Sequence, residues 1–453
     1  MKLSRPIWCG VVWLATAPVW AQANSGAPVP VIGLADTSDP MLTPPPVSGE
    51  EYPVTFSEEA RSNFLRGGVT FDTAYSDNVL TALNGQPVSD VSYSIWPTIE
   101  IDQTRPRLHW SLAYAPGFTF YQRTSGRDEA DQNLAVSFRY QLSPHVTLSV
   151  ADAFQKSSSA FNQPDQGLGP VSGSALGSDT TVIAPVADRL SNNGTAGLTY
   201  QFSANGMAGV SGTFANLHYP NPSEVSGSNP ALLTGIYDAS SRAGTAFYSQ
   251  RIWRKHYIGV TYQYQKLLSY PTGISATDTE THAILAFYTL FATPAFSISF
   301  FGGPQYSSTD QFGLPTAQAW YPAAGGSLNW QARHTAAALS YSRMITGGGG
   351  LIGAAQSDNA NLSVRQLLSK NLTASFSGLY TNKDVLTIST LPDTSGHSIA
   401  GNVALQRQIG EHVNLRAGYT RLRQVYRTIQ VIAPDTNREW ISISYEFARP
   451  LGR

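Results

Sequence analysis

From about residue 61 onward, segment after segment of this sequence alternates, one residue apolar and the next small or polar. Period two belongs to the β-strand, whose successive side chains point to opposite faces. In Asn133-Leu134-Ala135-Val136-Ser137-Phe138-Arg139-Tyr140-Gln141-Leu142 every even position is apolar and every odd one small or polar. Leu372, Ala374, Phe376, Gly378 and Tyr380 share one face of a second such segment, with Thr373, Ser375 and Ser377 opposite. A third, residues 107–121, puts Leu108, Trp110, Leu112, Tyr114, Phe118 and Phe120 on one side. After residue 60 no apolar run approaches the length of a membrane helix. The most apolar window, residues 283–291, is rich in aromatics and stopped by Thr293-Pro294, which suits a strand.

The connections constrain the fold further. Eight turns are very short: Thr104-Arg105-Pro106, Ser143-Pro144-His145, Ser203-Ala204-Asn205-Gly206, Trp253-Arg254-Lys255-His256, Thr293-Pro294, Ala332-Arg333, Ser369-Lys370-Asn371 and Gly410-Glu411-His412. They alternate with nine longer polar segments, at 76–90, 122–130, 157–189, 220–239, 269–278, 307–318, 346–356, 383–395 and 427–437. Seventeen connections imply eighteen strands. Even strand number, short turns at one rim and longer loops at the other describe an all-β, antiparallel, up-and-down transmembrane barrel. A propeller would repeat in fours, and a sandwich has no reason to segregate loop lengths. The hairpins QLSPHVTLSV, QLLSKNLTAS and QIGEHVNLRA also form a loose internal repeat. Hydrocarbon cannot satisfy backbone N–H and C=O groups, so strands in a membrane must close without a free edge.

Composition agrees. Charged residues are 13% of the chain and apolar ones 42%, with 39 Gly, 22 Tyr, 19 Phe and 9 Trp. A soluble enzyme is usually nearer a quarter charged, and a helical membrane protein far more apolar. Residues 1–23 read as a cleavable signal peptide: Lys2 and Arg5, an apolar stretch over residues 7–20, then Ala21-Gln22-Ala23. The one cysteine, Cys9, lies inside it, so no disulfide is expected after cleavage. Taking Lys2 and Arg5 from 29 basic residues leaves 27 against 30 acidic, a net charge of −3, and nothing points to nucleic acid. Residues 24–60 hold seven prolines, including Pro44-Pro45-Pro46, and read as a flexible periplasmic segment too short for a plug domain. The barrel is expected over 61–453.

The final strand, Trp440-Ile441-Ser442-Ile443-Ser444-Tyr445-Glu446-Phe447, alternates and carries near-terminal aromatics. Tyr445 and Phe447 resemble the signal by which barrels are handed to the assembly machinery, although six residues follow Phe447. The segments YSIWPTIEIDQTRPRLHWSLAYAPGFTFY and NLAVSFRYQLSPHVTLSVADAF, with the ending YEFARPLGR, resemble the type 2 family of β-barrel porins. The resemblance spans most of 60–453 through diffuse strand patterns. It implies an outer-membrane location among lipid and lipopolysaccharide. Some members of that family are encoded with exopolysaccharide export systems, which implies polysaccharide-export components as a second kind of partner.

A barrel hydrolase needs a Ser or Asp activated by a nearby His at the outer rim. His145, His256, His334 and His412 fall at the short turns and His109 close to one. His218, His282 and His397 fall nearer the outer side, and Asp278 and Glu280 near His282 are the best catalytic or metal candidates. No HExxH, P-loop or cysteine cluster is present. The chain reads as a non-enzyme without cofactor or metal.

Parity instead turns Arg66, Asp72, Glu100, Asp102, Arg139, Gln263, Gln265, Arg365, Arg416 and Glu446 inward. An ionised group facing lipid at mid-depth would cost a few kcal/mol. These residues either brace the lumen through cross-strand pairs or tune solute choice. Asp152, Arg407 and Arg421 break parity and are expected at the rims. The longest loop, residues 157–187, holds Pro164, Pro170 and Pro185 and no Lys or Arg. By architectural analogy with trimeric porins it is expected to enter the lumen, setting Asp165 and Asp179 against Arg139, Arg365 and Arg416. The functional expectation is a water-filled pore for small hydrophilic solutes. The alternatives are an accessory barrel in polysaccharide export or surface assembly and, less favoured, an outer-leaflet lipid hydrolase.

Overall fold

A computed structural model describes residues 63–79, 87–158, 188–221, 237–270, 275–293, 295–311, 313–349, 352–386, 395–426 and 435–451. The readings of 1–23, of 24–60 and of the loop bearing Asp165 and Asp179 lie outside these residues.

Eighteen strands are described: β1 (Phe64–Ser76), β2 (Asp90–Arg105), β3 (Leu108–Tyr121), β4 (Glu129–Ser143), β5 (Val146–Ser157) and β6 (Arg189–Ser203). Next come β7 (Gly206–His218), β8 (Asp238–Trp253), β9 (His256–Tyr270), β10 (Thr277–Thr293), β11 (Phe296–Gln311) and β12 (Ala317–Gln331). The last six are β13 (Thr335–Gly348), β14 (Ile352–Ser369), β15 (Leu372–Val385), β16 (Gly396–Ile409), β17 (Val413–Tyr426) and β18 (Asp435–Pro450). Each strand pairs antiparallel with its sequence neighbours, and β1 pairs with both β2 and β18, so the sheet closes. The only helical element among the described residues is a single 3₁₀ turn, Ser125–Arg127.

The eight short turns stand where the sequence puts them, two or three residues each, on the rim that also receives both ends of the barrel. The outer connections are shorter than the sequence suggests. Residues 307–311 belong to β11, and 346–348 and 352–356 belong to β13 and β14. Above the hydrocarbon both faces of a strand meet water. Stretches such as Ser307-Ser308-Thr309-Asp310-Gln311 therefore lose their alternation, and from sequence they look like loop.

Side chains divide by parity. Outward positions are large and apolar: Phe71, Ile99, Val136, Val210, Ile284, Leu339, Val403 and Ile443 are all exposed on that face. Aromatics mark both edges of the apolar band, with Tyr264, Tyr306, Trp320, Tyr341 and Tyr380 above, and Tyr200, Phe202, Tyr248, Trp330 and Tyr445 below. On β12 the belts are read from Trp320 and Trp330, about 33 Å apart along the strand and about 25 Å in height at a tilt near 40°. That height matches the apolar band of an outer-membrane barrel.

One parity misfit is corrected. Arg407 lies two positions from the end of β16, and Arg421 bridges Asp435 and Asn437 at the outer end of β17. Asp152, expected at a rim, lies in the middle of β5 on the outward face. Its register partners are Val136 and Gly194, with Val150 and Phe154 along its own strand. Its carboxylate accepts a hydrogen bond from Asn192 Nδ2 at 3.4 Å.

Candidate functional site: the lumen and its inner hairpin

The inward face is built of two unlike arcs. From β7 to β13 the inward positions are Ser, Thr, Gln, Asn, small residues, aromatics and a few aliphatics such as Met207, Leu217, Leu267, Leu285 and Met344. Arg251, at the short-turn rim, is the one charged residue among them. From β14 through β18 and on to β6 the inward face carries every other lumen charge in the described strands.

On this charged arc the residues picked out by parity come together. Arg66 Nη1 lies 3.6 Å from Glu100 Oε2, and His109 Nε2 lies 3.1 Å from Asp102 Oδ2. Arg139 stands opposite His109 in register. Asp72 accepts a hydrogen bond from Arg438 Nη2 at 2.9 Å across the β1–β18 seam, both side chains largely shielded. Arg416 on β17 and Glu446 on β18 face inward on neighbouring strands. The periplasmic half of the arc is thus a mixed belt of arginines and acids, with His109 between Asp102 and Arg139. Arg139, Arg365 and Arg416 share their own wall with Glu446, Glu100 and Asp102, and the aspartates expected to face them, Asp165 and Asp179, lie outside the described residues.

Parity on the quoted segments, carried further, would have found more. Extending the β4 pattern outward reaches Asp131 and Glu129, and extending β15 reaches Lys383; all three face inward. Lys383 is fully buried and Arg189, inward on β6, is 1% exposed. Trp96 and Trp440 also point inward, each lying over a glycine of the next strand. A Cβ at Gly117 would sit 2.3 Å from Trp96, and one at Gly418 would sit 2.5 Å from Trp440. No sequence pattern signals an inward tryptophan, because the alternation places aromatics on the lipid face.

The best catalytic candidates do not form a site. His282 Nδ1 pairs with the Tyr262 hydroxyl at 2.8 Å on the outward face. Asp278 and Glu280 both hold Lys266, at 2.7 and 2.9 Å. No serine joins them, and among the described residues no three His, Cys, Asp or Glu side chains converge on a metal position.

At the outer end of the β13–β14 hairpin the β13 edge leaves the wall, while β14 stays paired with β15 up to Ala355–Val385. The β12–β13 ladder stops at Ala324–Arg343, so residues 317–323 of β12 and 344–348 of β13 are unpaired with each other. The hairpin keeps its own ladder, from Arg343–Asp358 to Gly348–Ile352, and crosses the inside of the barrel. The Ile345 N–H donates to Gln305 Oε1 of β11 at 3.0 Å, and Gln356 Nε2 donates to the Pro322 carbonyl of β12 at 3.2 Å. Ile345 and Ala354 pack on Leu267 of β9, with Tyr321 of β12 alongside. At the turn, Gly349 has φ +60°, a conformation that favours glycine, and its carbonyl accepts the Tyr219 hydroxyl at 2.9 Å. Tyr219 follows β7, six strands from β13, and is 2% exposed. The hairpin therefore forms a second, inner layer over the uncharged arc.

The chain folds as an outer-membrane barrel. No family model matches it, and no curated protein does. Among solved structures it is similar to the FrpB iron transporter of Neisseria meningitidis, at 9% identity and TM-score 0.45, covering 85% of this chain and 69% of that one. It is also similar to OccK2 (OpdF) of Pseudomonas aeruginosa, at 10% identity and TM-score 0.41, covering 85% and 98%. OccAB4 of Acinetobacter baumannii gives 10% identity and TM-score 0.42, covering 86% and 99%. These are likenesses of fold.

Proposed function

We propose that this protein is a pore of the outer membrane through which small hydrophilic solutes pass without energy input. The observation that carries the reading is the charged arc. Arg66, Asp72, Glu100, Asp102, Arg139, Arg365, Arg416 and Glu446 all point into a closed barrel whose outside is apolar between two aromatic belts. Charged groups in such number need water, and barrels of 16–18 strands are wide enough to hold a channel of it. Membership of the type 2 porin family, cleavage of the signal peptide after Ala23 and delivery through Tyr445 and Phe447 belong to the same proposal. A role beside polysaccharide-export components rests on the family resemblance alone.

The test is conductance. Purified protein in planar bilayers should give discrete ohmic steps, and proteoliposomes should swell in small sugars. Bilayers that stay silent with folded protein would overturn the pore.

A further inference from the structure

We propose that the β13–β14 hairpin is the selectivity constriction of the pore, covering the uncharged arc so that solutes must pass along the charged one. The inference rests on the pore reading and adds to it where the narrowest point lies and which wall a solute touches.

Three observations converge. First, the hairpin is held at both edges and at its tip by groups on four other strands or their ends: Gln305, Pro322, Leu267 and Tyr219. A surface loop has no reason to place an Ile–Leu contact and a buried tyrosine hydroxyl on the far side of the lumen. Second, the detachment is specific. Ladder pairing between β12 and β13 ends abruptly at Arg343, where Arg343 Nη1 lies 3.7 Å from Asp358 Oδ1 on the outward face, and the chain turns inside above that pair. Leaving residues of two adjacent strands unpaired forgoes ladder hydrogen bonds, and the bonds to Gln305 and Pro322 replace part of that loss. Third, residues 344–357 carry no charged side chain, and the inward face of the strands beneath them carries none at those heights either, Lys266, Asp278 and Glu280 facing outward. The hairpin therefore lays an uncharged layer on an uncharged wall. Among the described residues no inner layer lies over the mixed belt, which bounds the passage on that side. A solute squeezed between a neutral hairpin and a charged wall is selected by width first and by its fit to fixed charges of both signs second.

The experiment replaces residues 346–355 with Asn-Gly, a two-residue turn that closes the existing Ile345–Gln356 register. Conductance and the size limit for uncharged polyethylene glycols are then measured against the unaltered protein. A hairpin that narrows the pore predicts a rise in conductance of roughly twofold or more and entry of larger polymers. A second variant guards against misfolding of the first. Tyr219→Phe with Gln305→Ala removes two tethers and leaves the strands intact; it should give a noisier current whose mean lies above the unaltered level. In a third, Leu267→Cys and Ile345→Cys should cross-link on oxidation in the membrane, since those side chains pack together. Unchanged conductance and size limit in the first two variants would overturn the constriction while leaving the pore standing. Silence from every form, the unaltered protein included, would overturn the pore and the constriction together.

Discussion

The ring of Phe447 lies against Gly67: a Cβ at residue 67 would stand 2.5 Å from the ring's Cζ. The two residues are register partners on β18 and β1, so this contact closes the seam between the last strand and the first. Glycine inside a strand weakens it by lost entropy and missing packing, and here the vacancy is filled by the ring. Gly67→Leu should push the ring away and lower seam stability by about 1–3 kcal/mol. Urea titration of detergent-folded protein, followed by its faster gel mobility when unboiled, reads the change. An unshifted midpoint would show that the seam does not depend on this contact.

Phe447 has a second consequence, in assembly. Tyr445 and Phe447 both point outward on β18, while Ser444 points inward and is 2% exposed. If the two aromatics form the assembly signal, replacing both with Ser should leave protein unfolded in the periplasm, with Ser444→Ala as the control. Loss of both aromatic surfaces weakens the finished barrel by only a few kcal/mol. A defect in folding from detergent no larger than that, beside a near-total loss in cells, would separate signal from stability. Normal surface levels of the double variant would refute the signal.

Asp152 gives a prediction of opposite sign. On the outward face, between Val150 and Phe154, its carboxylate meets the bilayer with one long hydrogen bond from Asn192. A charge there costs a depth-dependent amount, less for Asp than for Lys or Arg. Asp152→Leu should therefore stabilise the barrel, by about 1–2 kcal/mol if the site is well below the interface. Measured in lipid by urea titration, a destabilised variant would mean that this face meets something other than acyl chains.

Eighteen strands, their order and all eight short turns were legible because one physical rule produces them. A closed wall between lipid and water must alternate, and hairpins on the periplasmic side are tight. The inward assignments at Arg66, Glu100, Asp102 and Arg139 follow from the same parity. The inner hairpin was not legible. Its sequence, Thr346-Gly347-Gly348-Gly349-Gly350, reads as an ordinary outer loop, and what draws it inside is a set of partners more than thirty residues away: Gln305, Leu267 and Tyr219. Asp152 failed for a different reason, since parity says which face a residue takes but not how deep it lies. Inward Trp96 and Trp440 were hidden because an aromatic within an alternating strand is ordinarily lipid-facing; each needs a glycine across the ladder, Gly117 or Gly418, which alternation does not single out.

The charged arc should set ion preference, and its arginines allow the sign to be worked out. In the periplasmic half the inward cations are Arg66, Arg139, Arg365 and Arg416, and the inward acids are Glu100, Asp102 and Glu446. Arg66 is accessible, with 42% of its side chain exposed, and lies beside Glu100. Replacing Arg66 and Arg139 with Gln removes two positive charges and leaves both β2 acids in place. The balance of these seven side chains then moves from one net cation to one net anion, and His109, beside Asp102, enters both totals alike. Under a salt gradient the reversal potential should shift toward cations, by roughly a twofold change in permeability ratio, and the shift should shrink as ionic strength rises because such charges are screened over about 10 Å at 0.1 M. Ser307→Ala, on the arc covered by the hairpin, should leave the reversal potential where it was. A shift of equal size from Ser307→Ala, or none from the paired arginine change, would mean that ions do not travel along the charged wall.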